Sequence, residues 1–168
     1  CIIESYGDLN MANMKIFAKI DGCPGSTLDS KHKDFCDVRC FEHELQYPFD
    51  MRENKGRGEP VHGALTITTE VDKATPKLFE ALAKKKKIKD VQLEFWRDKP
   101  GEGGSELYFK IKIEDCRVVV LKVFTPKANE SDKETPPHQV QVGFAYRKID
   151  TTYDSGGQVP TTFDFSDP

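Results

Sequence analysis

Leu107-Tyr108-Phe109-Lys110-Ile111-Lys112-Ile113 alternates Leu107, Phe109, Ile111 and Ile113 with Tyr108, Lys110 and Lys112. A period of two puts one apolar set on one face of a β-strand. Val118 to Phe124 continues as a nearly unbroken apolar run. Upstream, Val91, Leu93 and Phe95 begin another strand, and the Gly-rich stretch Lys99 to Ser105 reads as the hairpin turn between them. Further out, Ile16, Ala18 and Ile20 alternate with Lys15, Phe17 and Lys19. Leu65, Ile67, Thr69 and Val71 alternate with Thr66, Thr68 and Glu70. Val140, Val142, Phe144 and Tyr146 alternate with Gln141, Gly143, Ala145 and Arg147, and strand character runs on to Tyr153. Phe35 to Leu45 alternates less cleanly but is rich in strand formers. One helix stands out. Thr75 suits the N-cap and Pro76 the first helical position. Leu78, Phe79 and Leu82 supply an apolar stripe, and Lys84 to Lys87 load the C-terminal end, where cations oppose the helix dipole. Many strands, one helix and no βαβ alternation predict a mainly β fold, an antiparallel barrel or sandwich, with the one helix at about residues 75–87 packed outside it or closing one end.

The chain has 168 residues, one domain's worth. Residues 14–154 are expected to form the barrel domain, and 155–168 a polar tail with at most one short strand at Phe163 and Phe165. Residues 1–13 read as an N-terminal extension or cloning remnant, because Met11 and Met14 each suit a natural start. Cys1–Asn10 holds no basic segment followed by an apolar one, so no secretory signal peptide is expected. No apolar run approaches the roughly 20 residues of a membrane span, so no membrane anchor is expected. A net charge of −3 argues against a nucleic-acid binder. Lys84 to Lys87, with Lys89, carry no interleaved aromatic residues and read as a solvated helix end.

Chemistry-bearing patterns are thin. Five cysteines at irregular spacing (Cys1, Cys23, Cys36, Cys40 and Cys116) do not make a secreted disulfide framework and read as reduced thiols. His32, Cys36, Cys40 and His43 invite a metal reading. Residues four apart on a strand lie roughly 13 Å apart, whereas zinc ligands lie within about 2.3 Å of one metal. His32, His43, His62 and His138 stand in polar or loop contexts with no nucleophile or carboxylate at a recognised spacing. Gly101-Glu102-Gly103-Gly104 lies between strands rather than before a helix, which fits a turn and not a phosphate loop. The expectation is a non-enzyme with no cofactor and no metal. A small β domain must pair, cover or charge its strand edges, so self-association is the natural alternative to catalysis.

Six stretches, in order, carry a family resemblance. They are Met14 to Gly22 followed by Gly25-Ser26-Thr27; Lys31-His32-Lys33-Asp34; Gly56-Arg57-Gly58-Glu59-Pro60 with Leu65 to Thr68; Val71-Asp72-Lys73-Ala74-Thr75-Pro76-Lys77-Leu78; Tyr108 to Cys116; and Phe144 to Ile149. Together they resemble the Hcp family, the tube protein of the bacterial type VI secretion system, across Met14 to Tyr153. The resemblance implies an antiparallel β-barrel of two packed sheets with one flanking α-helix, a hexameric ring with a central channel, and rings that stack into a tube. It implies as partners further copies of the chain, a valine-glycine repeat spike protein, a contractile sheath, and effector proteins carried in the channel. It implies export from the bacterial cytoplasm without a signal peptide. The polar loop Tyr47–Pro60 is similar to the family's extended loop, which makes Arg52, Glu53, Asn54, Lys55 and Arg57 candidates for ring stacking. Arg39, Glu42 and Glu44 lie in a strand similar to pore-facing segments and are channel-facing candidates. An outer or inter-subunit face is the alternative for them. Cys40 to Leu45 is more charged than the family's usual second strand. The competing functional reading is a small oligomeric β-barrel adaptor for a secreted partner, without tube formation.

Overall fold

The computed structural model describes residues 14–99, 103–126, 137–154 and 157–165. The expected extension at 1–13 lies outside them. In chain order the elements are β1 (Lys15–Ile20), β2 (Cys36–Glu42), β3 (Leu45–Gln46), β4 (Phe49–Asp50), β5 (Lys55–Gly56), β6 (Val61–His62), β7 (Leu65–Glu70), α1 (Thr75–Ala83), β8 (Lys87–Asp98), β9 (Ser105–Phe124), β10 (Gln139–Ala145), β11 (Lys148–Asp154) and β12 (Gln158–Asp164).

The expected antiparallel barrel is present, built from one sheet closed on itself. One edge of β9 pairs with β8, from Ser105↔Asp98 to Arg117↔Lys87. β9 also takes β11 along Phe109 to Glu114 and β10 along Arg117 to Phe124. Because β10 pairs in turn with β7, the path β9-β8-β1-β2-β7-β10 returns to β9 and closes. Closure removes the free edges that a small sheet otherwise exposes. β11 and β12 extend the sheet beyond the barrel, and β12 supplies the strand that Phe163 hinted at. Pro160 sits inside β12, a placement that suits an edge strand.

The interior is filled by Leu65, Ile67, Val91, Leu93, Ile113, Val140, Val142 and Phe144, all buried. In β9 the inward set is Ile111 and Ile113, then Cys116 and Val118. The phase changes at Asp115, whose φ of 51° is left-handed. β8 changes phase at the same level, from Ile88 to Val91, Leu93 and Phe95. Burial pushes the Cys116 thiol up to about 12 and also raises Cys36, which keeps both thiols protonated.

Four expectations need correction. Phe17 was assigned to the outer face of β1, and so it lies, yet it is buried. The segment before β2 folds over it, and His32 stacks on its ring at 4.0 Å while Phe35 and Trp96 meet the imidazole edge-on. The helix ends at Ala83 and not at residue 87. Lys85 adopts φ 52°, its N–H donates to the Leu82 carbonyl and the Lys86 N–H to that of Ala81. This is a Schellman closure, after which the chain enters β8. At the other end Thr75 is already helical, and Ala74 at the cap position has no side-chain acceptor. Asp72 serves instead: its carboxylate accepts the Ala74 N–H (2.9 Å) and the Ser26 N–H (3.1 Å). The buried stripe is Leu78 and Ala81, facing β9, while Phe79 is exposed. The lysine run is tied locally: Lys84 and Lys86 both reach Glu80 (2.7 and 2.8 Å), and Lys87 reaches Asp115 (2.9 Å).

A left-handed L-residue costs roughly 1–2 kcal/mol, part of which glycine recovers after its larger unfolded-state entropy is counted. Lys85→Gly is therefore expected to stabilise the protein by about 0.5–1 kcal/mol in urea titration; a destabilised variant would contradict the assigned closure.

Candidate assembly surfaces

The stretch expected as a polar loop is a nested hairpin arm. β3 pairs with β6 (Leu45↔His62, Gln46↔Val61), and further out β4 pairs with β5 (Phe49↔Gly56, Asp50↔Lys55). Asp50 organises the tip. Its Oδ1 accepts the N–H groups of Arg52 (2.9 Å) and Glu53 (3.2 Å), and its Oδ2 accepts from Arg57 Nη2 (2.5 Å). These donors hold its carboxyl below the usual range, the Arg52 N–H most of all. Glu53 adds a second contact to Arg57 at 3.3 Å, and Asn54 takes the left-handed position of the turn (φ 49°). The Arg57 N–H closes on the Pro48 carbonyl at 2.7 Å.

The five stacking candidates therefore do come together at one tip, but in two roles. Arg57, Glu53 and Asn54 hold the turn itself. Arg52 and Lys55 point charge outward and make no ion pair among the described residues. The arm also exposes apolar side chains that the sequence reading missed. Leu45, Tyr47, Phe49 and Met51 are all exposed, Met51 at 85%, and so is Val61 opposite Gln46. The alternation of Leu45, Tyr47, Phe49 and Met51 was the available signal, masked by Pro48.

Arg39 and Glu42 stand on the outer wall of the barrel, and Glu44 just beyond the end of β2. β2 shifts register against β7 between Val38 and Cys40. The shift leaves Phe41 turned inward, edge-on to Phe95 at 5.3 Å, with Arg39 and Glu42 outward. Arg39 forms an ion pair with Glu70 across the strand pair. Glu44 accepts from Gln46 Nε2 at 2.6 Å. Strand register lines up polar rows on this wall: Glu42, Thr66 and Gly143; then Cys40, Thr68, Gln141 and Lys122. Next to it, Val119, Val120 and Val123 of β9 are about half exposed, so the apolar run there is not a buried strand.

A third cluster joins the arm to the barrel. The Tyr146 hydroxyl lies 2.7 Å from His43 Nε2 and 3.0 Å from His62 Nδ1. Phe163 stacks on His62 at 4.9 Å and Phe165 meets it edge-on at 4.1 Å. Burial, then the charge of His62, lowers His43; burial lowers His62 and pushes Tyr146 up to about 12. No short-range spacing announces this group, since its hydrogen bonds span 103 and 84 residues. Of the residues once weighed as a metal set, His32 is committed to Phe17 and His43 to Tyr146, and Cys36 and Cys40 lie four apart in β2.

Residues 17–153 match the family model described as "Type VI secretion system effector, Hcp". The chain belongs to the Hcp family. A "Major exported protein" of Pseudomonas aeruginosa is 30% identical to this Hcp-family chain over 133 residues, covering 79% of the chain and 77% of that protein. A crystal structure of an Hcp protein superposes with a TM-score of 0.80 at 25% identity, over 91% of this chain and 98% of the other. An Hcp1 structure from E. coli EAEC 042 gives 0.73 at 25% identity, over 90% and 97%. The chain is thus a type VI secretion protein of a structural family. No helix among the described residues is long and apolar enough to cross a membrane.

Gly56 lies under Tyr47: an added Cβ would sit 1.7 Å from the tyrosine hydroxyl. Gly56→Ala is expected to swing Tyr47 off the arm. Amides between residues 45 and 62 should then exchange faster while barrel stability changes by less than about 1 kcal/mol. Unchanged arm exchange would show that Tyr47 does not brace the hairpin.

Proposed function

We propose that this Hcp-family chain is the subunit of a type VI secretion tube: six copies close a ring, rings stack, and effector proteins travel in the channel. The observation that carries the reading is the arm, which thrusts exposed apolar side chains and the exposed charges of Arg52 and Lys55 away from a barrel already closed on itself. A closed barrel gains nothing intramolecular from such a surface, and heterologous contacts close into rings when the rotation permits. In this reading Arg52 and Lys55 act at the ring-to-ring contact, and Arg57, Glu53 and Asn54 shape the tip that presents them. The exposed valines of β9 supply apolar area for a neighbouring subunit. The polar wall carrying Arg39 and Glu42, with Glu44 at its rim, faces the channel, where uncharged Thr66, Thr68 and Gln141 dilute its charge.

The remaining roles follow the same reading. The domain that assembles is 14–154, and the tail adds β12 to it. The partners are a valine-glycine repeat spike, a contractile sheath and effectors, with export from the bacterial cytoplasm through the type VI system. The chain acts structurally, with no catalytic role.

Light scattering with negative-stain imaging of the purified protein tests the ring, and a six-fold annulus with an open centre is the expected result. A monomer over a wide concentration range would favour an adaptor module instead. Joint Arg52→Glu and Lys55→Glu substitution is expected to shorten stacked tubes in sedimentation by several-fold and leave the single ring intact, because exposed charge acts mainly at the contact it faces. Tubes of unchanged length would remove the arm tip from the stacking contact.

A further inference from the structure

Tyr146 stands where three parts of the chain meet. His43 is the first residue past β2, where the chain leaves for the arm, His62 is in β6 where the arm returns, and Phe163 and Phe165 lie in β12 and just past its end. Tyr146 itself occupies the break between β10 and β11. One hydroxyl, with a single proton, serves two ring nitrogens: it donates to one and accepts an N–H from the other. That arrangement requires at least one imidazole to be neutral.

We propose that His43, Tyr146 and His62 form a proton-operated latch that positions the arm, closed on the C-terminal strand while the imidazoles are neutral and released when they take up protons. With both rings protonated, the hydroxyl oxygen receives two N–H groups and its own proton loses its acceptor. Two cations then face one another across 6.4 Å between ring centroids, at a half-buried site walled by phenylalanine.

The charged groups around the cluster do not offset this. On the β2 side Glu42 and Glu44 flank His43; Glu42 Oε1 lies 3.9 Å from Cys40 Sγ, Glu44 Oε1 accepts from Gln46 Nε2 at 2.6 Å, and it is burial and the facing imidazole that set the shift of His43. On the β6 side the neighbours of His62 are Val61 and Gly63. At the β10–β11 break Arg147 and Lys148 follow Tyr146, and Lys148 pairs with Glu114 and Asp150. On β12 Asp164 stands opposite Lys148 in register. The sign follows from the direction of the shifts. Both imidazoles are lowered in the closed form, so the released form binds more protons. The latch is at full strength above the ordinary histidine value of about 6.5 and weakens as pH falls below it. The latch lies within one subunit, so failure to form rings leaves it intact, and the reverse also holds.

Hydrogen exchange on the full chain, between about pH 7.5 and about pH 5 and corrected for the intrinsic rate, reads the latch directly. Segments 43–63 and 158–165 are followed against β8 and β9 as internal reference. Protection of the first two is expected to fall at least ~10-fold relative to the reference as pH drops, the response of about one linked proton per pH unit. In the His43→Gln/His62→Gln variant it should be flat with pH. Tyr146→Phe should lower it at the alkaline end and blunt the pH response. A flat wild-type profile, or an undiminished response in the double variant, overturns the latch. If the double variant does not fold, NMR titration of the wild-type imidazoles decides. His43 and His62 midpoints both below about 6.5 support the proposal, and either one at or above that value overturns it.

Discussion

The structure depends on a single strand holding two others in succession. β9 is long enough to pair with β11 near its start and β10 near its end, while β8 occupies its opposite edge. Hydrogen bonds along the β10 half convert an open sheet into a barrel, and those along the β11 half carry the sheet past the barrel into β12. The break between the two halves must fall opposite Asp115, and there the chain places Tyr146 and Arg147, with the Arg147 N–H bonded to the Glu114 carbonyl. The histidine cluster at the arm's root exists because of that break. A continuous β10–β11 strand would have kept Tyr146 in ladder register.

Closure also decides what the outside can be used for. With backbone groups of the barrel strands paired around the closed sheet, the outside of the barrel offers side chains and the arm, and β12 carries the sheet's remaining free edge. The described surface accordingly carries a polar wall on β2, β7 and β10, exposed valines on β9 of which Val120 continues a row of that wall, and a projecting hairpin with exposed apolar side chains and a charged tip. Salt bridges across the wall, such as Arg39 with Glu70, are exposed and add little to stability. Their effect is to hold charge in defined places on a surface that other molecules meet.

Much of the fold was legible in the sequence because alternation is a local signal. Leu65 to Glu70 and Val140 to Phe144 lie where their period placed them. What was hidden is hidden for physical reasons. Phe17 is buried by His32, fifteen residues away and outside its strand, so no period could reveal it. The helix end was overestimated because lysines at a dipole terminus look like a continuing helix, whereas a left-handed Lys85 carries no compositional mark. The arm read as a loop because Pro48 and Gly56 are turn residues by composition, although here one extends a strand entry and the other makes room for Tyr47. Among the candidate site residues, the grouping of Arg52 to Arg57 was legible from contiguity. The Arg39–Glu70 pair and the Tyr146 cluster needed three-dimensional neighbours.

The shared phase change in β8 and β9 has a consequence for how this chain can drift. Ile88 to Val91 and Ile113 to Cys116 are matching steps of three in a pattern otherwise stepping by two. A residue gained or lost in one strand alone would turn that strand's remaining side chains inside out, setting lysines against Leu93 or Ile111. Only a compensated change in both would survive, and two simultaneous single-residue indels are rare events. Length variation among descendants of this sequence is therefore steered to the connections, where it alters reach and contact without touching the barrel.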